Sequence, residues 1–228
     1  MIRNEMYFGG QSMTTFSAFI AESNFMDAPA RSVDSIEVLG RNGNVHIDRN
    51  KYFNFTLRVK LYITENVRAN VQALRNYLNN THGYMRYQET LNANEYRMAC
   101  FREAFVMDVS DAQRGAVTLE FDCMPQRFLT AGEQPISVTS TATLLNPTGR
   151  EARPLIKAYG QGTAVINGVT VTVGGSDAVT VIDCELMTCS QSAVTFSGYD
   201  YPVLGAGSNV ITVSGLTKVE ITPRWWRL

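Results

Sequence analysis

Cysteine is scarce: Cys100, Cys123, Cys184 and Cys189 are the only four in 228 residues. They are too few and too scattered to form a disulfide scaffold. Cys184 and Cys189 make a C-x4-C pair, but no histidine or second cysteine pair stands near enough in sequence to complete a zinc site. Four reduced, structural thiols are therefore expected. Charge of one sign is also lacking, with 20 basic against 21 acidic residues and a net charge of −1. A protein that grips nucleic acid electrostatically carries a basic excess, so tight phosphate binding is not expected. No stretch approaches the ~18 apolar residues needed to span a bilayer, which argues against membrane insertion. The opening Met1-Ile2-Arg3-Asn4-Glu5 has no apolar core after its positive charge, so no signal peptide is expected there.

The chemistry-bearing residue types are sparse as well. His46 and His82 are the only histidines. Both are expected in loops, with nothing to pair them as metal ligands or triad members. Asp183 and Glu185 flank Cys184 and could suggest the paired carboxylates of a glycoside hydrolase. On a strand, however, residues i and i+2 share a face about 7 Å apart, a common arrangement on solvated edges. Gly160-Gln161-Gly162 is followed by a strand pattern, whereas a dinucleotide loop must lead into a helix. Arg41-Asn42-Gly43-Asn44 reads as a turn, since Asn-Gly adopts left-handed geometry readily. No nucleophile, base and oxyanion set emerges. The chain reads as non-enzymatic, with no cofactor and no metal.

What is present is β-structure in two differently composed halves. Residues 1–130 carry 14 basic and 14 acidic side chains, and residues 131–228 carry 6 and 7. The second part is dominated by Thr, Val and Gly. Leu129-Thr130-Ala131-Gly132-Glu133-Gln134-Pro135 interrupts any regular element and marks the expected boundary. Before it, Lys51–Ile63 alternates strictly, with Phe53, Phe55, Leu57, Val59, Leu61 and Ile63 on one face, which predicts one long half-buried strand. A helix over about Glu65 to Asn80 is predicted next. Thr64 is its N-cap and Val67, Val71, Leu74 and Leu78 its apolar stripe. Gly83 lies beyond its end. Strands are expected around Tyr96–Met107 and Ala116–Cys123, with a turn at 111–115.

The second half shows no helical pattern. Asn167-Gly168 between Ala164–Ile166 and Val169–Val173 is a type I′ hairpin signal. Gly174-Gly175 and Ser214-Gly215 mark further turns, with strands at Val179–Asp183, Val210–Val213 and Val219–Thr222. Short strands with regular turns argue for a β-sandwich or jelly roll. Trp225 and Trp226 stand in the final Arg224–Leu228 stretch, where large aromatics suggest packing that ties the segment down. They are read as a plug for the sandwich, or else as a sugar-stacking platform or interface anchor. Tyr199 and Tyr201 fit either an exposed loop patch or the core.

The order of these pieces resembles the distal tail proteins (Dit) of siphophages and prophages of Gram-positive hosts, over nearly the whole chain. Val38-Leu39-Gly40-Arg41-Asn42-Gly43-Asn44-Val45 is similar to that family's GRNG turn, followed by Asp48 and Tyr52. Gly83-Tyr84-Met85-Arg86-Tyr87 and Val117–Leu129 match the rest of its first domain. Asn146-Pro147-Thr148-Gly149, Arg153–Lys157, Ile182–Met187, Tyr201-Pro202-Val203-Leu204, Gly207-Ser208-Asn209 and Pro223-Arg224-Trp225-Trp226 follow in family order. One departure is Thr188-Cys189-Ser190, where relatives often carry Asp-Ala-Tyr.

That resemblance implies a mainly β protein: an N-terminal β-sandwich or barrel-like domain with one helix over 1–130, and a galectin-like β-sandwich over 131–228. It implies a homo-hexameric ring built by the first domain at the tail tip of a virion assembled in the host cytoplasm. Implied partners are the tail tube protein, a tail-tip hub or tail-associated lysin protein, and receptor-binding or baseplate proteins. DNA would pass in transit through the central channel. Candidate interface or structural anchors are Arg41, Asn42, Gly43, Tyr199, Tyr201, Trp225 and Trp226. The second reading is a carbohydrate-binding β-sandwich, and a cell-wall hydrolase stands third for want of a site.

Overall fold

Alternating side chains decide most of this architecture, and the computed structural model describes it for residues 3–102, 106–109, 115–198 and 200–228. The chain is mainly β and folds as two units, one of residues up to Arg127 together with Leu228, the other Phe128–Arg227. Of the predicted turn at 111–115, all but Gly115 lies outside the described residues, as does the candidate Tyr199.

The first unit contains β1 (Met6–Phe8), β2 (Gln11–Ser12), β3 (Ala18–Ser23), β4 (Arg31–Ile36), β5 (Val45–Tyr52), β6 (Phe55–Ile63), α1 (Val67–Asn79), β7 (Met85–Glu89), β8 (Glu95–Phe101), β9 (Val106–Val109) and most of β10 (Gly115–Leu129). The main sheet runs β2-β1-β7-β8-β10-β6-β3, with β9 against the start of β10. β6 and β10 pair antiparallel from Ile63↔Gly115 to Phe55↔Cys123. Directly opposed residues share a face, so Leu57, Val59 and Leu61 meet Phe121, Leu119 and Val117 in one fully buried layer. Each such side chain contributes roughly 1.5–3 kcal/mol by leaving water. The predicted stripe of Val67, Val71, Leu74 and Leu78 is buried in the same core. Tyr77 of α1 donates its hydroxyl to the Phe8 carbonyl at 2.6 Å, tying the helix to β1.

Three expectations are corrected here. The long strand is broken: β5 ends at Tyr52 and β6 begins at Phe55, so Phe53 is 52% exposed instead of facing the core. Phe53 N–H goes to the Ala30 carbonyl at 2.9 Å, closing the root of a separate β4–β5 hairpin. Asn54 bonds the Tyr84 hydroxyl at 2.6 Å and Asp122 at 3.1 Å. The helix begins at Val67, capped by Asn66 with φ 42° and no side-chain capping bond, so Thr64 is not the N-cap. His46 sits exposed within β5 and not in a loop.

The centre of the first unit holds an arginine. Arg97 is fully buried in β8. Its Nε and Nη2 donate to the Phe25 carbonyl at 3.0 and 2.8 Å, Nη2 to the Asp27 carbonyl at 2.8 Å, and Nη1 to the Pro125 carbonyl at 3.3 Å. The guanidinium carbon lies 4.3 Å from the Phe55 ring centroid and 5.3 Å from that of Phe25. Burial pulls its pKa down to about 10, which still leaves it charged at neutral pH.

The second unit is a sandwich of two five-stranded sheets. One runs β11 (Ile136–Val138), β20 (Lys218–Thr222), β13 (Leu155–Tyr159), β16 (Val179–Asp183), β17 (Thr188–Cys189). The other runs β12 (Thr141–Asn146), β19 (Gly207–Ser214), β14 (Gly162–Ile166), β15 (Val169–Val173), β18 (Val194–Phe196). A short β21 (Trp226–Arg227) follows β20. The β14–β15 turn matches its sequence signal: Asn167 and Gly168 have φ of 50° and 89°, the double positive φ of a type I′ turn. Ile156, Ile166, Val171, Ile182, Ile211, Val219 and Ile221 fill the core. None of the five strands β12, β14, β15, β18 and β19 contains a charged residue. Thr141, Thr143, Leu145, Val210, Thr212, Thr172 and Thr195 are exposed along them.

Replacing Arg97 by Ala leaves the buried Phe25 carbonyl, and the less buried carbonyls of Asp27 and Pro125, without that donor. The expected loss is about 3–5 kcal/mol, combining about 1–3 kcal/mol for an unsatisfied buried carbonyl with the cavity the side chain leaves. Urea unfolding of the two proteins measures it, and a loss under ~1 kcal/mol would show that the carbonyls find other donors.

Candidate functional site

Catalytic groups come first because the sequence raised a few. Asp183 closes β16, and its carboxylate takes a two-pronged ion pair from Arg224 at 2.7 and 2.8 Å. The same carboxylate accepts the backbone N–H of Glu185 and Leu186 at 3.0 and 3.1 Å. These bonds, Arg224 foremost, hold its pKa down at about 2 against the penalty of burial. A carboxyl so stabilised as the anion cannot serve as a general acid near neutrality. Asp183 is thus the clamp of the 183–187 turn. Gly162 at the end of the glycine pair has φ 150°, and a Cβ there would stand 2.4 Å from the Ser214 carbonyl oxygen. Close strand–turn approach accounts for that glycine.

The thiols are muted. Burial pushes both Cys123 and Cys184 up to about 12, so neither supplies a thiolate at neutral pH. All four cysteines are free. Cys189 lies 3.6 Å from the Tyr201 hydroxyl. Among the described residues no group of three or more His, Cys, Asp or Glu is placed to hold a metal ion.

The aromatic candidates divide. Trp225 is 4% exposed in the second core. Its backbone carbonyl accepts Leu129 N–H at 2.9 Å. A Cβ on Gly132 would meet its nitrogen at 2.4 Å, so that glycine is needed for the approach. Trp226 is half-buried, with its indole N–H donated to the Glu151 carbonyl at 2.9 Å. Tyr201 is half-buried and tilted against Phe196, ring centroids 4.5 Å apart. No open aromatic platform results from these three.

Arg41, Asn42 and Gly43 stand together at the tip of the β4–β5 hairpin. Gly40 and Gly43 take φ of 79° and 81°, and Arg41 N–H reaches the Val38 carbonyl at 3.1 Å, forming the tip turn. The hairpin is a two-stranded sheet of its own. Val33, Ile36, Val38 and Ile47 are exposed along it, and Leu39 at the tip is 98% exposed. Ion pairs Arg31–Asp48 and Arg49–Asp34 link its strands but are themselves exposed, and pairs of that kind add little stability. A two-stranded ribbon is marginally stable alone, so this apolar surface is suited to being covered.

A second feature escaped the sequence. An open cleft of about 400 Å³ is lined by Asn4, Ile20–Ser23, Phe25, Met26, Glu89, Leu91 and Asn92. Glu89 is 2% exposed, and its Oε1 accepts the Tyr87 hydroxyl at 2.6 Å and the Ser23 hydroxyl. Its Oε2 accepts a long 3.4 Å bond from Asn4. The contributing segments lie far apart in sequence, so no local motif announces them.

No family model matches the chain, and no curated protein does. Solved structures do. The crystal structure of the SPP1 Dit protein, described as a paradigm of the hub adsorption apparatus in Gram-positive infecting phages, superposes with a TM-score of 0.68 at 12% identity. That match spans 96% of this chain and 97% of the other. A chain of the phage P2 baseplate in its activated conformation with Ca matches with a TM-score of 0.55 at 8% identity, over 97% of both chains. The chain has the fold of these two phage structures from end to end.

The Asp183–Arg224 clamp makes a testable signature in acid. A carboxyl whose folded pKa is depressed adds stability above its unfolded value near 3.8, and that stability drains as pH falls through about 2. Denaturant unfolding of the wild type and of Asp183→Asn should differ most above about pH 4 and converge toward pH 2. An equal gap at both pH values would show that the clamp is not electrostatic.

Proposed function

We propose that this protein is a structural component of a bacteriophage tail tip, a non-enzymatic ring protein that joins the tail tube to the hub and host-recognition parts. The observation that carries the reading is the full-length likeness in fold to a siphophage hub protein and a baseplate chain. Six copies assemble through the first unit around a central channel. The second unit, a sandwich, offers its faces to receptor-binding or baseplate proteins. Tail tube protein docks on one side of the ring and the tail-tip hub or lysin protein on the other.

Two physical features support this. The net charge of −1 suits a channel through which DNA slides without strong phosphate binding. The exposed apolar hairpin suits a heterologous interface, which closes into a ring when its rotation closes. The domains divide at residues 130 and 131 in this reading, with the anchors Arg41, Asn42 and Gly43 on the ring-forming part. Among the described residues no helix is long and apolar enough to cross a membrane. The carbohydrate-binding alternative needs exposed aromatic rings, and Trp225, Trp226 and Tyr201 are buried or half-buried.

Light scattering after size exclusion, with negative-stain imaging of the same peak, tests the proposal. The expected mass is about six times 25.3 kDa, with six-fold rings in the images. Monomers that persist after the tube protein is added, together with quenching of tryptophan fluorescence by saccharides, would favour the sugar-binding module instead.

A further inference from the structure

The sequence contains Asn-Gly twice, at Asn42-Gly43 and Asn167-Gly168, and the fold treats the two pairs differently. Such pairs are open to one backbone reaction, because glycine has no Cβ to block a close approach to its own nitrogen. The glycine amide nitrogen attacks the carbonyl carbon of the asparagine side chain. The N–Cγ bond forms, the Cγ–Nδ2 bond breaks, and ammonia leaves carrying the glycine's amide proton. A cyclic imide remains. Water, the only co-reactant, then adds to either imide carbonyl and opens the ring to aspartate or to isoaspartate, whose main chain runs through Cβ.

Ring closure needs the asparagine backbone to swing until the next nitrogen faces Cγ. At Asn167 the sandwich opposes that swing. Asn167 N–H is donated to the Val210 carbonyl at 3.0 Å. Ile166 and Val169 on either side are directly paired, so the ladder clamps the two-residue turn between them. Asn167 Nδ2 lies close to Gly205, where a Cβ would stand 3.6 Å from it. The φ values of 50° and 89° are those a type I′ turn demands, and leaving them undoes the β14–β15 register.

At Asn42 no such clamp exists. Ladder pairing in the β4–β5 hairpin stops at Ile36 and Val45, which leaves residues 37–44 outside it. Arg41 N–H reaches the Val38 carbonyl and Asn44 donates to the Ser35 hydroxyl, but Asn42 and Gly43 enter no hydrogen bond among the described residues. Both are exposed, and a Cβ on Gly43 would meet nothing within 4 Å.

We propose that Asn42 is a site of spontaneous deamidation in the folded protein, and that the hairpin around Asn167 protects the second pair. Each event puts a carboxylate next to Arg41 and adds one negative charge to a chain whose net charge is −1. The isoaspartyl product also inserts an extra main-chain carbon into the tip turn.

Full-length protein held at neutral pH, digested after increasing times and read by mass spectrometry, tests this. Conversion is scored in each Asn-Gly peptide from the amide-to-carboxyl mass gain and from the separate aspartate and isoaspartate peaks. Asn42 is expected to convert at least about tenfold faster than Asn167, the ratio that a barrier difference of about 1.4 kcal/mol gives. In urea, where both pairs lose their folds, the difference should vanish. Asn42→Gln should remove the fast position and leave the rate at Asn167 as it was. Equal rates in the folded protein, or faster conversion at Asn167, would overturn the proposal. So would a preference that survives in urea, since neighbouring sequence and not the fold would then be choosing the site.

Discussion

A single buried guanidinium organises the first unit. Arg97 bonds three carbonyls from two distant stretches of chain, Phe25 and Asp27 on one side and Pro125 on the other. Strands pair through their own ladders, but the 24–30 segment belongs to no ladder, and its buried Phe25 carbonyl needs a donor from elsewhere. Arg97 meets that need with donors on a rigid fork and itself lies against the rings of Phe55 and Phe25. Fixing this segment fixes both the wall of the cleft at Phe25 and the root of the hairpin a few residues on. The cleft and the hairpin therefore both hang from a core contact.

This explains why the sequence was most readable where the physics is local. The alternation of Leu57, Val59, Leu61 and Ile63 and the 3-and-4 spacing of Val67, Val71, Leu74 and Leu78 each report burial on one element, and both faces are buried as read. Asn167-Gly168 names its turn because few residue pairs tolerate two positive φ values in succession. Phe53 misled because period two persists across a break between strands, and only the Phe53–Ala30 bond of the hairpin root reveals the change of sheet. In β8 the residues that turn inward are Arg97 and Ala99, whereas hydrophobicity alone would favour Tyr96 and Met98. A buried arginine satisfied by carbonyls leaves no acidic partner in the sequence to flag it.

The surfaces followed the same division. The tip turn at Arg41, Asn42 and Gly43 could be recognised as a turn from its glycines, since turn chemistry is local. The cleft could not, because Asn4, Ser23 and Glu89 meet only once β1, β3 and β7 have found their places. Trp225 and Trp226, adjacent in sequence, differ in what they touch: one fills the second core, the other spends its indole N–H on Glu151.

The sheet of β12, β14, β15, β18 and β19 carries its own implication. Its exposed rows are threonines, serines, one valine and one leucine, with no ionisable side chain anywhere on the five strands. Dissolved ions screen only charges, so a contact made through these strands would not weaken as salt is added, unlike one held by ion pairs.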